Sequence, residues 1–311
     1  MQTRKAFLGS VLAAAGGVAV QVRAEDLRTD GGKPLDEVAE GLGGGRVLCL
    51  ANRSQSQMFG AVFVSPSGRV AVVDGGCFPD GGNLATVLRS LGGHVDLWLI
   101  THAHSDHYGA LATLLEKPDM GGLHIGELGF AFPDKSWTDR AEPASAPFRA
   151  RFEAALTRHP GLKTVRLSKG RRFDLGDGWT FETLNDYDLD LKVPNINDTS
   201  ICFSVRAGGR TWLVTGDVAV QTGRRLVKEL GAKLEHEFVF MAHHGQMGAD
   251  KSFYAAVKPK VAIWPTPDWL WDNDTGKGPG SGPFHTNYTK CWMQELGVKR
   301  NYVLTRDVLF L

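Results

Sequence analysis

Thr101-His102-Ala103-His104-Ser105-Asp106-His107 follows directly on the apolar run Leu97-Trp98-Leu99-Ile100. Such a run reads as a buried strand, and a cluster at its end lies where the chain leaves the sheet. Side chains there can converge on a point instead of alternating across two faces. The three imidazoles of His102, His104 and His107 and the carboxylate of Asp106 are donors suited to zinc or a similar first-row ion. A set rich in nitrogen and oxygen usually leaves a position open for water. The chain has ten histidines in 311 residues, so three of them packed beside an aspartate are hard to ascribe to a chance polar loop. The reading is a metal site on a loop at the end of a strand.

Composition bounds what surrounds that site. With 42% hydrophobic residues, a chain of this length can bury one large core or two smaller ones. Its 38 glycines point to many turns and close backbone approaches, as in a loop-rich chain of strands and helices rather than a helical bundle. The body of the chain has no apolar span of about twenty residues, which excludes a membrane-embedded channel. No internal repeat or low-complexity tract is present.

Residues 1–24 read as an export signal. Arg4 and Lys5 give a positive start, Ala6 to Val20 is apolar, and Val22-Arg23-Ala24 offers a small-residue cleavage site before Glu25-Asp26. The string Thr3-Arg4-Lys5-Ala6-Phe7-Leu8 resembles a twin-arginine signal with Lys in place of the second Arg, so the ordinary secretory route is equally open. The expected destination is a bacterial periplasm. Export removes three bases from a chain with 35 Lys and Arg against 34 Asp and Glu, leaving a slightly acidic protein. That balance disfavours strong non-specific nucleic-acid binding, which relies on clustered cations. Cys49, Cys77, Cys202 and Cys291 permit up to two disulfides in an exported protein, although buried free thiols fit Cys49 and Cys202 equally well.

Along the body of the chain, strands are expected at 46–52, 60–65, 70–73, 95–100, 164–167, 179–184, 201–206, 212–215 and 238–241. Helices are expected at 83–91, 109–115, 147–158 and 221–230, with the rest of 125–160 less regular. Residues 25–45 form a lead-in and 46–311 one domain. Alternating strands and helices with short hairpins suggest an α+β fold, an αββα sandwich of two mixed β-sheets packed face to face with helices outside. Metal residues at strand ends in both halves would then meet at one edge of the sandwich.

At this point the chain resembles the metallo-β-lactamase-fold hydrolases. The resemblance rests on Val72-Val73-Asp74-Gly75-Gly76, the cluster Thr101–His107, Asn197-Asp198-Thr199-Ser200, Thr215-Gly216-Asp217, Ala242-His243-His244-Gly245 and Gly282-Pro283-Phe284-His285. They run in family order over residues 46 to 311. Within the superfamily the chain is most similar to the metal domain of the bacterial DNA-uptake (competence) channel protein and its stand-alone relatives. It departs from that subgroup at Gln55-Ser56-Gln57, where a Gly-Gln-Gly-Asp turn is usual.

The resemblance implies two divalent metal ions, zinc or alternatively manganese. His102 and His104 would hold the first, Asp106 and His107 the second, and Asp217 would bridge both. His244 would supply a further ligand, with His243 beside it contacting substrate or supporting a ligand. His285 either completes the second metal or is a polar residue of a Gly-rich loop. Asp74 would hold the metal loop by hydrogen bonds. Asn197 and Ser200 either donate to a substrate oxyanion or form a turn. The aromatic stretch Trp264 to Trp271 either lines the cleft or packs.

Two metals in such a site lower the pKa of a water held between them and stabilise attacking and leaving oxygens; Asp106 and Asp217 are the expected catalytic carboxylates. The expected activity is that of an exported phosphodiesterase or nuclease-type metallohydrolase. Its substrate would be a small molecule or a cell-envelope phosphodiester, with nucleic acid less favoured by charge. The alternatives are a lactone, ester or β-lactam hydrolase on the same site, and a non-catalytic zinc-binding protein of the envelope.

Overall fold

The computed structural model describes residues 35–54 and 56–311. The export signal read at 1–24 and Gln55 lie outside the described residues. Two sheets form the body. In the first, eight strands lie in the order Asp36–Val38, Val308–Phe310, Arg46–Cys49, Gly60–Val64, Val70–Asp74, His94–Leu99, His124–Phe130 and Thr164–Arg166. In the second, seven strands lie in the order Arg300–Val303, Val261–Trp264, Phe238–Phe240, Arg210–Val214, Phe203–Ala207, Trp179–Thr183 and Arg172–Gly176. Both sheets are mixed, with parallel and antiparallel neighbours.

The layers follow from strands that are apolar on both faces. In Gly60–Val64, Val62 and Val64 turn toward the helices, while Ala61 and Phe63 turn toward the other sheet. Val70–Asp74 repeats this, with Val70 and Val72 outward and Ala71 and Val73 inward. Helices Gly81–Ser90, Ser105–Leu115 and Ala146–Leu156 cover the first sheet through residues such as Leu84, Leu111 and Phe152. Val220–Leu230, Lys251–Val257 and Thr286–Glu295 cover the second through Leu226, Phe253 and Met293. The result is the α+β sandwich expected from the sequence, helix–sheet–sheet–helix.

Aromatic rings knit the two sheets together. Trp212 stacks on Phe238 with centroids 3.9 Å apart and meets Phe310 of the other sheet edge-on at 5.2 Å. Phe63 approaches the same indole edge-on at 6.2 Å.

Three differences from the sequence reading bear on the site. The metal cluster is only half loop, because Ser105, Asp106 and His107 form the first turn of Ser105–Leu115 with His104 as its extended N-cap. The stretch expected to be less regular contains the strand His124–Phe130 and the helix Lys135–Ala141. Gly126 and Gly129 break the apolar run of that strand; a Cβ at Gly126 would fall 2.8 Å from the Asp96 carbonyl oxygen, and one at Gly129 would meet a Leu99 methyl at 2.8 Å. The lead-in supplies the edge strand Asp36–Val38, which pairs in parallel with Val308–Phe310. All four cysteines are free thiols; Cys49, Cys77 and Cys202 are buried and Cys291 is exposed. Among the described residues no helix is long and apolar enough to cross a membrane.

Because the Trp212 indole fills the space between the sheets, Trp212→Ala should cost about 4 kcal/mol of unfolding free energy, read from urea denaturation. A loss below about 1 kcal/mol would show that the sheets do not depend on this ring.

Candidate metal centre

The site forms where parallel strands of both sheets end. Val70–Asp74 and His94–Leu99 run side by side and deliver Asp74 and the cluster Thr101–His107 from the first sheet. In the second sheet, Arg210–Val214 leads to Asp217, Phe238–Phe240 to His243 and His244, and the parallel strand Val261–Trp264 to Pro265. Two sets of side chains converge there. His102, His104 and Asp217 form one, and Asp106, His107, Asp217 and His244 the other, each with donor atoms within 4.8 Å of one another. Asp217 belongs to both.

Each imidazole is oriented by an acceptor on its far side. His107 Nδ1 donates to the buried Asp74 carboxylate at 2.7 Å, and His244 Nδ1 donates to the Pro265 carbonyl at 3.0 Å. His104 Nε2 donates to Glu142 at 2.7 Å. The Thr101 hydroxyl gives its single hydrogen to Asp74 at 2.7 Å, so it accepts from His102 Nδ1 at 3.0 Å. In the neutral rings this turns the inner nitrogen, with its lone pair, toward the same small volume. His107 Nε2 stands 3.2 Å from Asp217 Oδ1, and His244 Nε2 stands 3.2 Å from Asp106 Oδ2 and 3.5 Å from Asp217 Oδ2. His102 Nε2 is 3.1 Å from His104 Nδ1 and 3.7 Å from Asp217 Oδ2.

The buried atoms His107 Nε2, His244 Nε2 and Asp217 Oδ2 make no hydrogen bond. Buried polar atoms without partners are costly, and three of them facing one another in a cage of imidazoles and carboxylates fit divalent cations. The charges show the same tendency. Burial disfavours charge on His107 and His244, yet the surrounding Asp217, Asp74 and Asp106 outweigh it. They raise His107 well above the ordinary range and His244 to about 9. Burial likewise works against ionised Asp106 and Asp217, but the neighbouring imidazoles hold both carboxyls well below the usual range. Protons or metal ions can therefore balance the same buried negative charge. His102 is the exception: burial first, then His107, keeps it neutral.

The other residues expected at the site have distinct places. Asp74 is fully buried and also accepts from the Thr101 backbone N–H at 2.8 Å, so it ties the start of the cluster to its own strand. Ser200 is buried, and its Oγ accepts from the Asp217 backbone N–H at 3.1 Å, so it positions Asp217. Asn197 Nδ2 lies 3.3 Å from His243 Nε2. His243 keeps 20% of its side-chain surface exposed and lies 4.0 Å from Asp217, at the mouth of the cage. Burial lowers its pKa despite Asp217. His285 stands outside both ligand sets; it is exposed, packs edge-on to Tyr288 at 5.4 Å and begins the helix Thr286–Glu295. Trp264 is buried against Trp271, whereas Trp269 lines the cleft above the cage.

Glu142 and the Pro265 carbonyl were missed. Glu142 Oε2 holds His104 while Oε1 accepts from the Ile196 N–H at 2.8 Å, so one side chain links the ligand to the Asn197 turn. In sequence it is one acid among many in an exposed-looking Arg-Ala-Glu-Pro stretch, and no spacing relates it to His104. A backbone carbonyl carries no sequence signal at all.

Metal binding needs the bare nitrogen of His244, which holds a proton up to about pH 9. Zinc affinity should therefore rise with pH, by about tenfold per unit for each proton displaced between pH 6 and 8. Chelator competition at several pH values measures this, and a flat profile would contradict the proton–metal exchange.

Comparison with known proteins places this geometry. A model of the metallo-beta-lactamase superfamily matches residues 61–263. ComE operon protein 3 of Bacillus subtilis is 25% identical over 173 residues, which make up 54% of this chain and 20% of that protein. The chain thus corresponds to about a fifth of that relative's length. Among solved structures, a variant of the β-hydroxylase CmlA has a TM-score of 0.51 at 13% identity, covering 85% of this chain and 53% of that one; CmlA is a Streptomyces venezuelae protein. The metallo-beta-lactamase fold protein YhfI of Bacillus subtilis has a TM-score of 0.49 at 13% identity, covering 83% of this chain and 96% of that one. The family model spans most of the chain and takes in the cluster Thr101–His107, Asp217 and His244, and the chain belongs to the metallo-beta-lactamase superfamily.

Proposed function

We propose that this chain is an exported two-metal hydrolase that cleaves phosphodiesters. The observation that carries the reading is Asp217, one carboxylate shared between two ligand sets. His102, His104 and Asp217 would hold one ion, and Asp106, His107, Asp217 and His244 the other. The donors are imidazole and carboxylate without thiolate, a set that suits zinc and also manganese. Divalent ions in such a pair act as Lewis acids that acidify water and offset charge on the attacking and leaving oxygens of an in-line displacement.

The protein's own groups do the rest. Asp74, Glu142, Thr101 and the Pro265 carbonyl keep the four ligand imidazoles in their metal-binding tautomer. Ser200 fixes the backbone of Asp217, which keeps that carboxylate between the two sets. His243, held neutral at the open mouth, donates from Nδ1 to the Met247 carbonyl and accepts the Asn197 amide at Nε2, which fixes both side chains at the rim of the site. Export rests on the charged, apolar and small-residue pattern of residues 1–24.

The zinc-loaded protein should hydrolyse bis-p-nitrophenyl phosphate, and Asp217→Ala should reduce that rate by about 100- to 1,000-fold. Turnover of nitrocefin or a lactone with no phosphodiester cleavage would instead assign carbon-ester or amide chemistry to the same site.

A further inference from the structure

The cleft over the cage is a cavity of about 350 Å³ lined by His104, Asp106 and His243 together with two aromatic side chains, Phe148 and Trp269; most of its remaining lining is polar but uncharged. Phe148 stands out because 44% of it is exposed, although it is a large apolar side chain next to a buried cage of charges. It projects from the start of the helix Ala146–Leu156 and rests on Phe78, with ring centroids 5.8 Å apart. Trp269 is braced edge-on by Phe284 at 5.2 Å. Among the described residues, none that lines this cavity is Lys or Arg.

These walls discriminate between substrates. A polynucleotide places a charge on every residue, and proteins that bind one line their grooves with cations even where aromatic rings take the bases. Here aromatic surface is present, and among the described residues lining the cavity there is no cation. Small-molecule sites instead combine aromatic or apolar surface with uncharged polar groups and a few groups that fix one reacting centre. We infer that the substrate is a small single ester carrying an aromatic or comparably flat apolar substituent, which lies against Phe148 and Trp269 while its anionic centre meets the metal cage. This rests on the two-metal reading only for the group that binds the anion. The aromatic preference belongs to the cleft wall, whichever ester is cleaved.

Binding without turnover separates the two. Phenylphosphonate and methylphosphonate present the same anion to the zinc-loaded protein and differ only in the substituent. Calorimetry should show phenylphosphonate binding about tenfold more tightly, as expected for burying a few tens of Å² of additional apolar surface. In Phe148→Ala that ratio should fall toward unity, and in Trp269→Leu it should fall at least several-fold, with circular dichroism verifying that both variants fold. Equal affinity for the two phosphonates in the wild type, or no measurable binding of phenylphosphonate, would overturn the inference. So would displacement of bound phenylphosphonate by single-stranded oligothymidylate at equal nucleotide concentration, which would make the cleft a nucleic-acid track. Failure to hydrolyse bis-p-nitrophenyl phosphate alongside a retained phenyl preference would sink the phosphodiester reading and leave the substituent class standing.

Discussion

The Asp217 carboxylate is 2% exposed and stands 3.2 Å from His107, 3.5 Å from His244 and 3.7 Å from His102. Moving an unpaired carboxylate from water into such a place costs several kcal/mol or more. Positive charge must therefore be supplied within the cage, either by protons on the rings or by metal ions. Since Asp217 comes from one sheet and His102 and His107 from the other, the balancing charge also joins the two halves of the sandwich at this edge. Charge compensation and sheet packing thus meet at one residue, and the functional reading depends on both.

Three of the seven described non-glycine residues with positive φ lie at the same edge. Asp74, His243 and His244 all have positive φ, at 57°, 50° and 55°. L-residues rarely take that conformation, and each instance costs on the order of 1–2 kcal/mol unless its surroundings impose it. Here the surroundings are visible. The Asp74 side chain accepts three hydrogen bonds from Thr101 and His107, and its carbonyl accepts from the Trp98 indole at 2.8 Å. His244 is held through its ring by the Pro265 carbonyl, while its own carbonyl accepts from the Thr266 hydroxyl at 2.6 Å. Gly245 follows at φ 79°, where a Cβ would lie 2.4 Å from the Trp264 ring, so the pair His243-His244 needs a glycine after it. Strain of this kind aims the imidazole at the cage instead of letting it follow the strand.

Much of this was legible in the sequence for a physical reason. Buried strands are written as unbroken apolar runs, and Gly60–Val64, Val70–Asp74 and Arg210–Val214 lie close to where such runs place them. The cluster from His102 to His107 announced itself because four donors must lie close in sequence to share one strand end. Where donors arrive from separate strands, sequence alone loses its grip. The resemblance favours His244 and leaves His285 open, and the physical reason appears only once Pro265 is seen behind one ring and solvent around the other. Ser200 looked like an oxyanion donor or a turn residue; its burial under the Asp217 N–H is a tertiary fact. Glycine hid the strand His124–Phe130. At Gly126 and Gly129 it marks close packing inside a strand, which in sequence looks the same as a loop.

The central claim is that one buried carboxylate serves two ligand sets, and the most direct test is a zinc titration followed by native mass spectrometry of the intact protein. The account predicts that the wild type takes up two zinc ions and that Asp217→Ala, still folded, loses at least one of them. A wild type that saturates with a single ion, or a variant that still binds two with unchanged affinity, would contradict it.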